Sequence, residues 1–531
     1  MSMTVNLKEG QVISGTVTIT ARVQTPNLVT NVEFYVNESL RSTDDSTPYE
    51  LRIDTIDETE GPIRLEIAAY DNQGNSVKQK FNLRIDNGLG QGIDFHVNRA
   101  QEAIVDAKWD AAIEASRVAL KIDGKNNKAR MAMARANFGK GVLDLAQKFT
   151  EDVLSEEPAN SDALALNAAI NLRRAFVSSA GTDEGVAVVR GALRAAAQAQ
   201  ARVLQGRADA FGSLTSDNLI AYADAMIAAH RYGAAAQALR PRFDADQRDG
   251  EVADRLVFSL IRMGRFTEAT RALTLHERFG SPSGYAFILK AILLQAAGQG
   301  AQSEEAEKEA ILNDPTNRGV RYGQAFLALS RNRVAVLRPF VNDFVRTEPT
   351  NPQANYYAAV IGFLGNDFEA SRQAFQRGML ADPANYDLLV ERGHQIMASA
   401  FTQQLTGEPA RVRFDLAAAY YEAALEARPE SFEALSALSL SLTLQGKAED
   451  AIRFGRAAVA AAPEYAGSHY ALSAALRAGR QVEASGAAQR RAGELDRRLV
   501  GAGIPQPVNV WRYLYTQGRV PVIPAPRTAS N

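Results

Sequence analysis

The sequence predicts a multidomain chain in which a small all-β sandwich is followed by a long all-α superhelical solenoid. Two patterns predict it: side chains alternate with a period of two over residues 1–88, and prolines then recur every 34 residues. The 531 residues exceed what one hydrophobic core supports, so at least two regions are expected. We assign residues 1–88 to the sandwich, 89–94 to a linker, 95–499 to the solenoid and 500–531 to an extended C-terminal tail.

Five stretches of the first region alternate β-branched or aromatic residues with polar ones. They cover residues 12–23, 32–36, 49–53, 63–70 and 80–85. Clusters of turn-forming residues separate these stretches. Short alternating strands without intervening helices are typical of an antiparallel β-sandwich.

Part of this region also resembles a known family. The segments VEFYVNESLRSTDDSTPYELRIDT and GPIRLEIAAYDNQGN are similar to bacterial Ig-like domains of extracellular and envelope proteins. The resemblance implies a spacer or adhesion module without catalytic residues. Asp44, Asp45, Asp71 and Asp86 leave a calcium site as the alternative to solvated turns, but no DxDxDG loop is present and we predict no metal.

The predicted linker follows the sandwich. Residues 87–92 read Asn-Gly-Leu-Gly-Gln-Gly, with three glycines in five positions. Glycine-rich connections are flexible, so we expect the two regions to pivot unless an interface holds them.

The solenoid is predicted from two signals that recur in phase. Prolines at a 34-residue spacing are Pro315, Pro349 and Pro383, and again Pro429 and Pro463. A turn signal keeps the same phase at Gly264, Gly298, Asn332, Asn366, Gly446 and Arg480. A constant period over so long a stretch indicates stacked two-helix units, about eleven in number.

One unit shows how the sequence encodes a helix pair. Asn351 and Pro352 provide an N-cap and a first helical residue, and the first helix is predicted to run to Leu364. A second helix is predicted from Phe368 to Leu380, after which Pro383 prevents continuation. Neither helix buries its apolar stripe alone, so the units must stack.

This pattern resembles the tetratricopeptide repeat. The small residue of the first helix in that family corresponds to Ala134, Ala291, Ala325, Ala359 and Ser439. The small residue that opens the second helix corresponds to Ala112, Ala146, Ala269, Ala417 and Ala451. The phrases KWDAAIEASRVALKIDG and GKAEDAIRFGRAAVAAAP are also similar to the family.

Two insertions interrupt the period, near residues 176–204 and 400–411. Each falls between the two helices of its unit, which places it on one rim of a solenoid. Surface loops and partner contacts are the two interpretations left open.

The tetratricopeptide resemblance implies a protein or peptide ligand in a concave groove lined by the first helices. Aromatic side chains at inner positions form the candidate contact set: Tyr285, Tyr322, Phe326, Tyr356, Phe363 and Tyr470. An aromatic stripe suits an extended peptide or another subunit, and ordinary packing between repeats is the alternative.

The tail holds aromatic residues that a disordered segment would not normally carry. Trp511, Tyr513 and Tyr515 are therefore candidate contacts, and the prolines of residues 519–526 predict extended backbone. The tail is expected to pack on its own last repeats, or on a groove or sheet edge of a neighbouring molecule.

Charge differs between the two ends. Residues 1–88 contain 8 basic and 13 acidic side chains, whereas residues 489–531 contain 7 arginines and 2 acids. Attraction between the ends of neighbouring molecules is one interpretation, and ordinary solvated surfaces are the other.

Composition argues against most chemistry. The chain has no cysteine, and none of its five histidines has a partner histidine at i+3 or i+4. Phosphate-binding and nucleophile-elbow motifs are absent. A net charge of −2 without a basic stripe argues against nucleic acid, and no apolar run suits a transmembrane helix. We expect no enzyme activity and no cofactor.

These observations favour a non-enzymatic protein-interaction scaffold. The Ig-like resemblance favours the cell envelope or exterior, and the absence of a leader at the start of the sequence favours the cytoplasm. One alternative is a self-assembling structural subunit of a filament or layer, joined through the tail. Another is a glycan-binding adhesin that uses Tyr35, Tyr49 and Tyr70 of the sandwich.

Overall fold

The structure is a computed structural model that describes residues 1–501 and 503–526. It divides into two compact units, Met1–Ala163 and Leu164–Asn531, called here the N-terminal and C-terminal units. The predicted fold class, an Ig-like sandwich followed by a tetratricopeptide-like solenoid, is confirmed. The division into units differs from the sequence-based boundary near residue 88, because the first two helix pairs belong to the N-terminal unit.

The sandwich consists of a three-stranded and a five-stranded sheet. Its strands are β1 (Ser2–Val5), β2 (Val12–Ile13), β3 (Thr16–Gln24), β4 (Val29–Val36), β5 (Ser39–Asp44), β6 (Tyr49–Asp54), β7 (Gly61–Asp71) and β8 (Ser76–Ile85). The strand orders are β1-β3-β6 and β2-β8-β7-β4-β5. Alternate residues such as Ile19, Phe34 and Ile67 fill the space between the sheets, as a period of two requires.

The predicted strand over residues 12–23 is divided in the structure. Its first part, β2, pairs in parallel with β8, and its second part, β3, lies in the other sheet. Gly15 lies at the crossover with a φ of +64°, a conformation that glycine adopts without strain. β1 and β5 carry no clear alternation, and the sequence does not predict them.

The predicted flexible joint is an ordered connection. Asn87 is buried, its side chain accepts a hydrogen bond from Gly15 N at 2.9 Å, and His96 Nε2 lies 2.8 Å from the Gly88 carbonyl oxygen. Gly88 and Gly92 have φ values of +77° and +87°. The glycines therefore serve two tight turns here, which sequence composition does not distinguish from flexibility.

The first helix pair also binds the sandwich directly. Arg117 donates to Asp54 at 2.5 Å and to Asp57 at 2.9 Å, and Lys121 donates to the carbonyl oxygens of Ile56 and Glu58. Sandwich and helices thus share an interface inside the N-terminal unit.

The helical region forms eleven antiparallel helix pairs and one additional helix over the described residues. The helices are α1 (Ile93–Val105), α2 (Trp109–Ile122), α3 (Asn127–Lys140), α4 (Leu143–Glu156), α5 (Ser161–Val177), α6 (Asp183–Asp209), α7 (Leu219–Ala228), α8 (Tyr232–Ala245), α9 (Gly250–Arg262), α10 (Phe266–Phe279), α11 (Gly284–Ala296), α12 (Gly300–Asn313), α13 (Arg318–Ser330), α14 (Val334–Thr347), α15 (Pro352–Leu364), α16 (Phe368–Ala381), α17 (Tyr386–Thr402), α18 (Gly407–Ala427), α19 (Phe432–Leu444), α20 (Ala448–Ala461), α21 (Ala466–Ala478), α22 (Val482–Leu495) and α23 (Pro507–Thr516).

The recurring turn signal has a conformational cause. Residues with positive φ in the turn between paired helices are Gly264, Gly298, Asn332, Asn366, Gly446 and Arg480. Glycine and asparagine tolerate this left-handed backbone best. Ala107 and His230 adopt it too, so the same phase extends to turns where composition gives no sign of it.

Small residues let paired helices approach closely, and serine hydroxyls then bridge them. Ser371 donates to the Ala359 carbonyl at 2.7 Å, and Ser303 donates to the Ala291 carbonyl at 2.8 Å. The donor lies in the second helix and the acceptor in the first. A bond of this kind satisfies a buried hydroxyl and fixes the register of the pair.

The two insertions lengthen helices that pack against each other. α6 and α18 contain 27 and 21 residues, whereas the other second helices contain 14. Arg190 donates to Asp415 at 2.8 Å and to Glu422 at 2.9 Å, and Arg411 donates to Asp183 at 2.7 Å. Neither interpretation of the insertions anticipated this pairing, since the partners lie far apart in the chain.

A second set of contacts closes the C-terminal unit on itself. The guanidinium of Arg428 lies 4.9 Å from the Tyr232 ring and 5.0 Å from the Tyr386 ring, and it donates to the Arg262 carbonyl oxygen. Arg262 in turn pairs with Asp387 at 2.7 Å. Helices from the start and the end of this unit therefore meet.

Arg117→Ala is expected to loosen the connection between sandwich and helices. It removes charge-assisted hydrogen bonds to Asp54 and Asp57, so amides of residues 87–92 should exchange with solvent roughly three- to tenfold faster, equivalent to about 1 kcal/mol. Hydrogen–deuterium exchange measures this. Lys108→Ala removes an exposed pair with Asp106 and is the control. Equal exchange in both variants would show that Arg117 does not hold the connection.

Arg190→Ala is expected to lower the free energy of unfolding by about 2 kcal/mol, since the largely buried Asp415 loses its nearest cation and keeps only Lys447 at 3.9 Å. Urea denaturation measures the change. The matched control is Arg372→Ala, which breaks an exposed pair with Glu369 and should stay within about 0.5 kcal/mol. Equal losses would contradict a closing role for α6 and α18.

Candidate functional site: the inner groove and the C-terminal segment

The first helices of the later pairs line an inner groove in the C-terminal unit, formed by α9, α11, α13, α15, α17, α19 and α21. The chain's own C-terminal segment, residues 507–526, lies in this groove. The tail is not extended throughout, because residues 507–516 form α23. The prediction of extended backbone at residues 502 and 527–531 lies outside the described residues.

The helical half of the segment buries its aromatic side chains against the groove. Trp511 stacks on Tyr515 with ring centroids 5.4 Å apart, contacts Phe401 at 5.3 Å, and donates from Nε1 to the His394 carbonyl oxygen at 3.3 Å. Pro507 supplies a helix start that needs no N–H partner. The amphipathic pattern of these residues suits a helix once one face is covered.

The extended half of the segment is held through its backbone. Groove side chains donate hydrogen bonds to four carbonyl oxygens, at 2.7 Å from Tyr465 to Gly518, from Arg262 to Pro521, at 2.8 Å from Tyr357 to Val522, and at 2.7 Å from Tyr285 to Pro524. Val520, Val522 and Ile523 are buried. The groove therefore offers donors to a peptide whose prolines offer no N–H in return.

One side chain of the extended half has specific partners. Arg519 donates to Glu391 Oε2 at 2.9 Å and to the Tyr356 hydroxyl at 2.7 Å. Its guanidinium also lies 4.4 Å from the Tyr515 ring. The side chains of Arg519 and Glu391 are only 8% and 2% exposed, so each buried charge depends on the other.

A cavity of about 520 Å³ remains beside the segment. Ile261, Ile292, Leu293 and Phe326 form an apolar part of its wall, and residues 517–521 close one side. Charged residues, Arg271, Glu464 and Arg498 among them, line the rest. The segment therefore occupies the groove but leaves part of its volume empty.

The structure places the candidate aromatic residues in three environments. Tyr285 and Tyr356 bond to the segment, and Phe363 and Tyr470 contact its rings at 6.2 and 5.9 Å. Tyr322 is fully buried and stacks on Phe344 at 3.9 Å. Phe326 lines the cavity. That these six residues bind a separate protein or peptide stays a prediction.

Three of the candidate tail contacts engage the chain's own helices. Trp511 and Tyr515 of α23 donate hydrogen bonds to His394 and Glu391 of α17. Tyr513 donates to Asp496 at 2.7 Å and packs edge-on against Tyr470. The segment thus occupies a groove of its own molecule in this structure.

Sequence reasoning missed the polar half of the groove. Tyr357 follows the predicted Tyr356 directly, and both reach the segment because they lie on adjacent sides of α15. Arg262, Glu391 and His394 carry no aromatic signal of a binding stripe. Polar residues at the inner positions of the first helices are the sequence feature that could have indicated these groove contacts.

Local environments lower the pKa values of several histidine and carboxyl groups, among them His394, His230 and Asp71. Burial, together with the Arg519 charge, lowers the pKa of His394 to about 3, and its Nδ1 lies 3.2 Å from the Tyr421 hydroxyl. In the sandwich, hydrogen bonds from Asn27 and Asn75 hold the pKa of Asp71 well below its usual range. That carboxylate closes the turn at residues 71–75 and also binds Thr25 and Asn27 of the loop between β3 and β4.

The other candidate features of the sandwich are separated. Tyr49 is buried, and the Tyr35 hydroxyl donates to Glu33 at 2.6 Å. Asp44 accepts backbone hydrogen bonds from Ser46 and Glu50. Over residues 1–501 and 503–526, no group of acidic or histidine side chains has the arrangement of a metal site. None of the helices in these ranges is both long and apolar enough to span a membrane.

Comparisons with known proteins identify the N-terminal sandwich. A family model described as a bacterial Ig domain matches residues 4–67. No curated protein matches the sequence at a significant level. The chain thus combines a tetratricopeptide-like solenoid fold with an N-terminal sandwich that is similar to bacterial Ig domains.

Solved structures are similar at low identity. Yeast Tom70 is 13% identical with a TM-score of 0.33, covering 80% of this chain and 94% of its own. The Cut9–Hcn1 structure of the APC/C is 10% identical with a TM-score of 0.39, covering 80% and 96%. The fibronectin(III)-like modules of Clostridium thermocellum CbhA are 18% identical with a TM-score of 0.15, covering 16% and 98%. These low scores support no functional argument.

Acid is expected to destabilise the C-terminal unit through His394. Because its folded pKa of about 3 lies below the ordinary 6.5, the contribution is present above pH 6.5 and is lost as pH falls towards 3. Between pH 6.5 and 4.5 this histidine should remove about 2–3 kcal/mol from the free energy of unfolding. Urea denaturation at both pH values measures it.

The variant His394→Gln keeps a polar side chain beside Tyr421 but does not titrate. Its loss of stability between pH 6.5 and 4.5 should be smaller than that of the parent. His469→Gln, at a half-exposed position, should retain most of the parental loss. The same loss in His394→Gln as in the parent would refute the assignment.

Proposed function

We propose that this chain is a non-enzymatic scaffold that binds an extended protein segment in the inner groove of its C-terminal unit. The observation that carries the proposal is the set of four groove donors, Tyr465, Arg262, Tyr357 and Tyr285, which bond to the carbonyl oxygens of residues 518, 521, 522 and 524. Side chains arranged along an extended backbone are how grooves recognise peptides.

The cavity beside the segment supports the same proposal. The apolar part of its wall lies on the groove helices α9, α11 and α13, and its volume of about 520 Å³ accommodates one or two large side chains of a partner. A bacterial Ig domain at residues 4–67 supports a place in the cell envelope or outside the cell. The Ig domain then acts as a spacer that carries the binding unit.

The two alternative functions have less support. Assembly through the tail needs a free basic segment, yet Arg519 is buried against Glu391 and Arg498 pairs with Asp496 at 2.7 Å. A glycan platform on the sandwich needs exposed aromatic rings, and Tyr49 is buried.

Photo-crosslinking tests the proposed function. A benzophenone amino acid replaces Thr270, an exposed residue at the mouth of the cavity, in the full chain. The matched control position is Leu312, which is 77% exposed on the second helix α12. Irradiation in a cell-envelope fraction should give a discrete protein adduct from position 270 and at most a tenth as much from 312. Equal adducts at both positions, or none at 270, would overturn the proposal.

A further inference from the structure

The inner groove recognises its occupant mainly through the backbone. The bonds from Tyr285, Tyr357, Tyr465 and Arg262 all end on carbonyl oxygens, so they place no demand on the side chains of the peptide. Any segment that follows the same path presents the same acceptors. The first requirement on a ligand is therefore that its backbone follows the same extended path through the groove.

Proline spacing meets that requirement. Pro521, Pro524 and Pro526 fix the backbone in extended conformations and remove three N–H groups from a backbone to which the groove offers the donors Arg262, Tyr357 and Tyr285. A buried unpaired N–H costs about 1–3 kcal/mol, so each proline favours burial in such a groove. Proline also reduces the entropy that a peptide loses on binding.

Close packing at Gly518 sets a second requirement. A Cβ at this position would lie 2.9 Å from the Tyr465 hydroxyl oxygen and 3.0 Å from the Tyr513 ring. The residue that accepts the Tyr465 hydrogen bond must therefore be small. Arginine at the next position then reaches Glu391.

The connection to the segment is suited to release. Val500 and Ile504 are 68% and 54% exposed, and Gly501 and Gly503 adopt positive φ beside them. The segment follows the last helix pair, so its departure breaks no hydrogen bond within the paired helices α1–α22. The covalent link between the helix pairs and the segment runs through residues 500–506.

We propose that the C-terminal segment is an exchangeable internal copy of the groove's ligand, and that the ligand is a partner-protein segment with glycine, arginine and prolines in the same order. This inference rests on the proposed function and names the chemistry of the partner. A tethered segment has an effective concentration on the order of millimolar. If both segments have intrinsic Kd values of about 1 µM, the internal copy weakens partner binding about 1,000-fold. The partner therefore binds fully only when the segment is displaced.

The experiment separates the segment from its tether after folding. A protease recognition sequence is placed in the full chain between Val500 and Ile504, and the purified protein is cut. The probe is a fluorescent peptide, PVNVWRYLYTQGRVPVIPAP, with the sequence of residues 507–526. Dilution of the cut protein should release the original segment, and the probe should then bind at least about 100-fold more tightly than to the uncut chain.

Two comparisons test the chemistry of recognition. A probe with alanine in place of its last three prolines should bind the cut protein at least tenfold more weakly. A cut protein with Tyr285→Phe and Tyr357→Phe should also bind the probe at least tenfold more weakly. Tyr420→Phe removes another buried hydroxyl, in α18 beside Phe375, and should leave binding unchanged.

Several results would overturn the inference. Unfolding of the cut protein on dilution, followed by circular dichroism, would make the segment a permanent part of the core. Equal binding of the proline-free probe would refute the ligand class. Dimers of the uncut chain that exchange segments would make the occupant a second copy. A groove adduct from position 270 without segment exchange would refute this inference and leave the proposed function intact. Exchange without any adduct would refute the proposed function and, with it, the partner inferred here.

Discussion

The C-terminal unit depends on partners for the polar side chains that its repeats bury on the inner wall. The Tyr285 and Tyr357 hydroxyls and the charges of Arg262 and Glu391 have little access to water. A buried polar group without a partner costs about 1–3 kcal/mol, and a charge costs more. The C-terminal segment supplies the missing carbonyl oxygens and the cation of Arg519. The stability of the groove therefore depends on the segment. Any other peptide that takes its place must supply hydrogen-bond partners to the same hydroxyls and charges.

Closure of the solenoid makes this system possible. In an ordinary solenoid each repeat contacts only its neighbours, and the groove stays open to solvent. Here α6 packs on α18, and Arg428 joins α9 to the region between α18 and α19. The groove side chains that bond to the segment, Tyr285, Tyr357 and Arg262, are buried. Hydrogen bonds gain strength in such a low-dielectric space, so a few donors hold a long peptide.

In the N-terminal unit, side-chain contacts fix the junction at residues 87–92. Its glycine-rich composition alone suggests a flexible joint. Arg117 and Lys121 connect the first helix pair to the sandwich with side-chain hydrogen bonds, and Asn87 fixes the start of the connection to Gly15. The glycines nearby are needed for backbone geometry. A fixed junction gives the Ig domain and its first two helix pairs one orientation, which suits a spacer better than a swivel.

The sequence by itself determined the repeats and the sandwich. Local rules set both, since Gly264 or Asn366 in a left-handed turn and Pro383 after a helix act within a few residues. Tertiary structure alone decided that α6 meets α18, that Tyr357 faces the segment, and that residues 507–516 form a helix. These outcomes depend on how small rotations between successive helix pairs add up to a closed turn. No residue encodes that sum, so only the assembled chain reveals the groove and its occupant.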